Sequence, residues 1–177
     1  MTIAPVSDRA PEQAPYPSGD VPESGLAGRI EEYRDAYQAR DVDRLLALFA
    51  DDAQVTAAPG TFRGKDAIRK LLDWDARLSP TASVRDTGIG VLISGQTVVW
   101  EHVISLTYEN IPYEEAATKV VEFDEGGKIR RLRSYYDKLA IMDQIASRYP
   151  GIQGRIFRKL TGYLVAQGSK GLDATST

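Results

Sequence analysis

Residues 29–70, RIEEYRDAYQARDVDRLLALFADDAQVTAAPGTFRGKDAIRK, constrain the fold most. Ile30, Tyr33 and Tyr37 recur at spacings of three and four, which predicts a helix from about Leu26 to Ala39. Asp41 is suited to cap a second helix bearing Val42, Leu45, Leu46 and Phe49. A short strand follows at Ala53–Ala57, then a turn at Pro59-Gly60. A third helix starts near Gly64, with Ile68, Leu71 and Leu72 on its buried side and Trp74 near its end. From there to about residue 138 only strand patterns occur. Helices followed by long strands predict an α+β domain in which a curved antiparallel sheet wraps against helices and makes a cup.

The strands are read from alternation. Ile89, Val91 and Ile93 alternate, and Ser94-Gly95-Gln96 reads as a hairpin turn. Between Thr97 and Tyr108, the residues Trp100, His102, Ile104 and Leu106 share one face. Asn110–Tyr113 reads as the next turn. Ala117, Lys119, Val121 and Phe123 then share a face, and Gly126-Gly127 turns the chain again. In the last strand Arg130, Leu132, Ser134 and Tyr136 oppose Ile129, Arg131, Arg133 and Tyr135.

The flanks differ from this centre. Residues 1–24 hold five of the nine prolines and almost no bulky apolar side chain, so they are expected to form a disordered tail. The expected domain spans 25–148. Within 149–168, Ile152, Ile156, Phe157, Leu160, Tyr163 and Leu164 fall on one face of an amphipathic helix with Arg155, Arg158 and Lys159 largely off it. That helix is expected to pack on the domain, ahead of a second disordered tail at 169–177. A lid, a subunit contact and a membrane surface are its other uses.

Composition removes several classes of function. A net charge of −3 over 177 residues gives no case for nucleic acid. Cysteine is absent, which excludes disulfides and thiolate metal sites. A single histidine, His102, excludes the usual multi-histidine metal sites. No apolar run approaches ~18 residues, so no membrane span and no membrane association are expected. The N-terminal residues hold no apolar signal core, and a cytoplasmic location is the expectation. No metal or organic cofactor has a visible motif.

Two residues are anomalies on apolar strand faces. His102 sits beside Trp100, Ile104 and Leu106. It is either a satisfied core histidine or an acid–base group, since its ordinary pKa lies near neutrality. Lys119 shares a face with Val121 and Phe123, and burying an ammonium is costly unless it is paired or neutralised. It either snorkels to a rim or stabilises an oxyanion inside a site. Tyr33 and Tyr136 supply either packing or hydroxyls. Asp51-Asp52 reads as a helix–strand joint and Glu114-Glu115 as a solvated loop pair. Arg131 and Arg133 are expected to meet Glu101 and Glu122 on the outer face, and Asp137 to bond backbone where the last strand ends. Gly126-Gly127 is not a phosphate loop, because no helix N-terminus follows it.

LLALFADDAQV, GTFRGKDAIRKLL and IRRLRSYYD resemble the SnoaL-like branch of the nuclear-transport-factor-like cone fold, over about residues 26–148. That branch includes polyketide cyclases and is related to ketosteroid isomerases and limonene-epoxide hydrolases. The resemblance implies a cavity on the concave sheet face, with walls from Trp74, Trp100, Ile104, Leu106, Val121, Leu132, Ser134 and Tyr136. Tyr33 matches the first-helix tyrosine of the isomerases. Their base aspartate would fall at Ala57 and their protonated aspartate at Lys119, so standard steroid isomerisation is not expected. One aspartate of the epoxide hydrolases would fall near Ser134, and a carboxylate position falls near His102. The expectation is a cofactor-independent acid–base enzyme acting on a hydrophobic small molecule, by cyclisation, isomerisation, dehydration or epoxide opening. In it His102 moves the proton and Lys119 or Tyr33 stabilises the oxyanion. A non-catalytic binder of a hydrophobic metabolite and a scaffold domain are the rivals, and the resemblance implies a homodimer.

Overall fold

A computed structural model describes residues 23–168. The proline-rich stretch up to residue 22 and the expected tail at 169–177 lie outside them. The elements run α1 (Glu23–Gln38), α2 (Val42–Ala47), β1 (Phe49–Ala57), β2 (Gly60–Arg63), α3 (Lys65–Leu78), β3 (Ala82–Ser94), β4 (Thr97–Tyr108), β5 (Ile111–Phe123), β6 (Ile129–Tyr136), α4 (Lys138–Arg148) and α5 (Gly151–Gly168). The strands form one curved, unclosed sheet in the order β2-β1-β6-β5-β4-β3. Neighbours are antiparallel except β1 and β6, which run parallel.

The helical start follows from its spacing. Leu26, Ile30, Tyr33 and Tyr37 of α1 are all buried. Arg40 takes a left-handed conformation (φ 54°) and closes the joint to α2. There the Arg40 amide donates to the Tyr37 carbonyl and the Asp41 amide to that of Ala36, satisfying two end carbonyls of α1. Asp41 then caps α2, accepting from the Arg44 amide at 2.9 Å. In α3, Ile68, Leu71 and Leu72 face the core.

Several elements differ from expectation. Phe49 opens β1 instead of closing the second helix, because the Leu48 carbonyl accepts from the Ile129 amide at 2.8 Å and draws the chain into the sheet. Asp51 and Asp52 therefore stand exposed on strand β1, with Asp51 paired to Lys65 at 2.7 Å. Residues Gly60–Arg63 are a strand that folds back on β1, with Ala57 opposite Gly60. The turn expected at Asn110–Tyr113 is only Glu109-Asn110, both at positive φ, as a two-residue hairpin loop requires. Glu114 and Glu115 consequently lie within β5, not in a loop. In β6 the register slips beside Arg130, so Ile129 and Leu132 are both buried and Arg130 is displaced outward. Glu122 gathers Arg133 (2.8 Å), Arg130 (3.4 Å) and Arg131 (3.8 Å) on the outer face.

Asp137 bonds backbone as expected, but it does so as the N-cap of α4, a helix that periodicity had not separated from the C-terminal segment. Its carboxylate accepts from the amides of Leu139 and Ala140 at 2.8 and 3.1 Å. Asp137→Ala is expected to lower stability by about 1 kcal/mol, read as a shift in urea midpoint without a change of slope. α5 meets α4 where the Thr161 hydroxyl donates to Asp143. α5 thus packs on the domain through α4, on its Gly154 and Thr161 side, while its six large apolar residues remain 44% to 66% exposed. No helix among the described residues is long and apolar enough to cross a membrane.

Candidate active site

A cavity opens between the concave sheet face and helices α1 and α3. Its volume is about 100 Å³, comparable to a cavity of ~150 Å³ that holds one small ring. Its walls are apolar at Leu71, Leu72, Ile104 and Leu132, and Trp74 stands half-exposed at its edge. Its polar groups are Tyr33 and Tyr37 from α1, Asp75 from α3, Glu115 and Lys119 from β5, and Ser134 and Tyr136 from β6.

The sheet register places these groups in rows. Lys119 lies directly between Trp100 of β4 and Ser134 of β6. One row away, Ala117 lies between His102 and Tyr136. The small Ala117 side chain leaves room for the lysine to cross diagonally toward the histidine. The Lys119 ammonium donates to His102 Nε2 at 2.9 Å. His102 Nδ1–H donates in turn to the Trp100 carbonyl at 3.2 Å, so the imidazole is neutral and carries its proton on Nδ1. Its ring stacks on Trp100 with centroids 3.8 Å apart, and Trp100 Nε1–H is anchored on Asp86 at 2.8 Å.

Burial governs the charge states. His102 is fully buried, and burial with the nearby Lys119 charge lowers its pKa to about 3. Lys119 is 6% exposed, and burial lowers its pKa to about 8 against the opposing pull of Glu115 and Asp75. The Lys119 nitrogen also lies 5.4 and 5.8 Å from the ring centroids of Trp100 and Tyr37, within reach of cation–π attraction. Burial raises the Glu115 carboxyl above its ordinary value, and Lys119 opposes this. The two groups share one face of β5, four residues apart.

A second cluster braces the helix side. Tyr37 O–H donates to Asp75 at 2.9 Å, and Arg40 donates to the same oxygen at 2.9 Å. The Arg40 guanidinium lies 4.5 Å over the Tyr37 ring. Tyr33 stacks on Tyr37 and meets Trp100 edge-on, and burial raises the phenol pKa of both tyrosines. Tyr136 is pushed up to about 12, chiefly by burial.

Of the residues singled out by sequence, Lys119, Tyr33, Trp74, Ile104, Leu132, Ser134 and Tyr136 line the cavity. His102, Trp100, Leu106 and Val121 do not: they are buried on the same sheet face, outside the cavity. Ala57 lies on the wall where the resemblance would put a base. Tyr37, Asp75 and Glu115 were not singled out as site residues. Each had a signal in the sequence. Tyr37 is one turn from Tyr33, Asp75 continues the Ile68–Leu71–Leu72 face, and Glu115 alternates with Ala117 and Lys119.

The curved sheet, helical cover and lined cavity define a cone-type α+β domain built around a small-molecule pocket. The chain belongs to the SnoaL-like domain family, which matches residues 30–132. No curated protein matches it in sequence. Among solved structures it is similar to a hypothetical protein with a ketosteroid isomerase-like fold from Catenulispora acidiphila, in complex with trimethylamine. That likeness has a TM-score of 0.60 and 20% identity, covering 70% of this chain and 92% of the other. RV0760c of Mycobacterium tuberculosis is also similar, with a TM-score of 0.60 and 17% identity over 68% of this chain and 96% of that one. At these identities the likeness shows the fold. SnoaL-like and ketosteroid isomerase-like folds include isomerases and cyclases.

Proposed function

We propose that this protein is a cofactor-independent acid–base enzyme that binds a small hydrophobic carbonyl compound and moves a proton on it. Isomerisation, dehydration and ring closure all share that step, whereas epoxide opening would use only the donor, to protonate the ring oxygen as its C–O bond breaks and water adds. One observation carries the reading: Lys119 and Glu115, a cation and an acid, face one apolar cavity from one strand. A pKa of about 8 keeps the Lys119 ammonium largely protonated near neutrality, ready to donate to an oxygen that gains charge. The raised pKa of Glu115 makes its carboxylate a stronger base than an exposed one. Tyr33 and Tyr136 offer further hydroxyl donors, and their raised pKa values keep them neutral. His102 is a positioning residue here: its Nε2 aims Lys119, and a pKa of about 3 keeps the ring neutral and too weak a base to take up a proton near neutrality.

The test is solvent-deuterium incorporation into a panel of small ketones and enones, followed by proton NMR. Exchange at the carbon next to the carbonyl is expected with the wild-type protein. Glu115→Gln and Lys119→Met are each expected to slow it on the order of 100-fold. Exchange that both variants leave intact would sink the assignment of the base and the donor.

A non-catalytic binder is the second reading, favoured by Ala57 on the wall where related isomerases carry their base. Asp75, Glu115 and the rings of Tyr33, Tyr37 and Trp74 also suit a small amine, the ligand class in the Catenulispora protein's complex. Saturable binding from the same panel with no exchange in any sample would favour the binder. Exposed Leu92 and Tyr135 on the outer sheet face support a homodimer formed through the sheet.

A further inference from the structure

We propose that Lys119 captures a small apolar aldehyde as a covalent imine inside the cavity. This activity goes beyond proton transfer and does not rest on it. Lys119 is the one buried lysine among the described residues, and it lies on the wall of an apolar cavity. His102 Nε2 accepts one of its hydrogens, so the nitrogen is held in one orientation instead of sweeping through rotamers. The rings of Trp100 and Tyr37 lie within about 6 Å of the nitrogen, an environment that tolerates a cation both before and after reaction. A desolvated lysine keeps a share of free amine near neutral pH, and the free amine is the nucleophile.

The step balances with groups already present. The Lys119 lone pair forms the C–N bond, and the carbonyl electron pair moves onto oxygen. Transfer of the nitrogen proton to that oxygen gives a neutral carbinolamine. The Glu115 carboxylate, having taken the proton that the Lys119 ammonium loses to expose its lone pair, then returns that proton to the hydroxyl. The C–O bond breaks, water leaves, and a protonated imine remains opposite the Glu115 carboxylate. The apolar wall of Leu71, Leu72, Ile104 and Leu132 limits the return of water. The cavity size favours aldehydes carrying a short chain or a single ring.

The experiment uses the full chain with butanal or benzaldehyde and sodium cyanoborohydride, which reduces an imine to a stable secondary amine. Intact mass and peptide mapping then read the adduct. The expected result is one fast adduct on Lys119, formed at least ten times faster than on Lys65, Lys70, Lys128, Lys138 or Lys159. Unfolding in urea should abolish that preference, and Lys119→Arg should remove the fast adduct while leaving slow labelling elsewhere. Labelling of Lys119 no faster than of exposed lysines would overturn the proposal. Peptide mapping of the wild-type chain decides this even if Lys119→Arg fails to fold.

Discussion

Lys119→Met is expected to make the protein more stable near neutral pH and less stable in alkali. Folding holds the ammonium against an apolar wall, and burial lowers its pKa from 10.5 to about 8. Between those two values the unfolded chain binds a proton that the folded chain has released, so stability rises with pH through that window. Below about pH 8 the whole penalty is present, about 3 kcal/mol for a drop of this size. Methionine has a similar length and no charge. It leaves His102 Nε2 without its donor, which costs about 1–2 kcal/mol. The net gain near neutrality is then about 1–2 kcal/mol, or a rise of roughly 3–6 °C in midpoint for a domain of this size. Above pH 10.5 the penalty has gone and the lost hydrogen bond remains, so the order of the two proteins should invert. Thermal melts of both proteins at the two pH values check this, since tyrosine titration is common to both. A variant that is less stable at both, by the same amount, would mean that the ammonium is solvated in the folded state. The same substitution should slow proton transfer on the order of 100-fold, the trade expected where a site holds a destabilising group for its chemistry.

The helical start was legible because its signals agree. Spacing, caps and the apolar stripe all indicate helices at α1 and α3, and burial of Leu26, Ile30, Tyr33 and Ile68 follows. The errors fall where local pattern competes with tertiary hydrogen bonding. Phe49 follows Leu45 and Leu46 at helical spacing, but pairing with β6 takes it into the sheet. Gly60–Arg63 is too short to show alternation and exists as a strand only because β1 lies beside it. Glu109-Asn110 carries no glycine to mark its positive-φ hairpin turn, so the local pattern points to Asn110–Tyr113 instead and leaves Glu115 in a loop. The bulge at Arg130 likewise broke the alternation expected of β6.

For the site, alternation selected the right sheet face but not the depth of each residue on it. His102, Ile104 and Leu106 share a face, yet only Ile104 reaches the cavity. Depth depends on where α1 and α3 cover the sheet, and no strand pattern reports that. Lys119 was visible because a lysine on an apolar face is an anomaly by itself. His102 stands out for the same reason, but the pairing of the two does not, because the Lys119–His102 contact is diagonal and depends on the register between β4 and β5. Tyr37 and Asp75 are a cross-element pair, 38 residues apart, and nothing local joins them.

The second large effect is expected on the acid side and separates two roles for His102. If the imidazole carries protons, it must titrate in the folded protein near neutrality. The observed environment opposes that: both ring nitrogens are engaged, Lys119 lies 2.9 Å away, and the pKa falls to about 3. Between its ordinary 6.5 and about 3, the unfolded chain takes up a proton that the folded chain refuses, so stability falls as pH falls through this window. By about pH 4 the loss from this group alone is about 3 kcal/mol. Carboxylates also protonate over that range, which a comparison removes. His102→Gln keeps an acceptor for Lys119 but cannot titrate, so its urea midpoint should fall less steeply with acid than the wild type's. The lone histidine should also keep the nitrogen NMR signature of the neutral Nδ1–H form as far down in pH as the fold persists. Parallel stability curves, or an imidazolium signal appearing near its ordinary pKa, would show that the folded imidazole accepts protons freely. His102 would then return as the proton carrier, and Lys119 would have lost the contact that aims it. A steeper wild-type curve with a silent imidazole assigns His102 to holding the lysine and leaves the chemistry to Lys119 and Glu115.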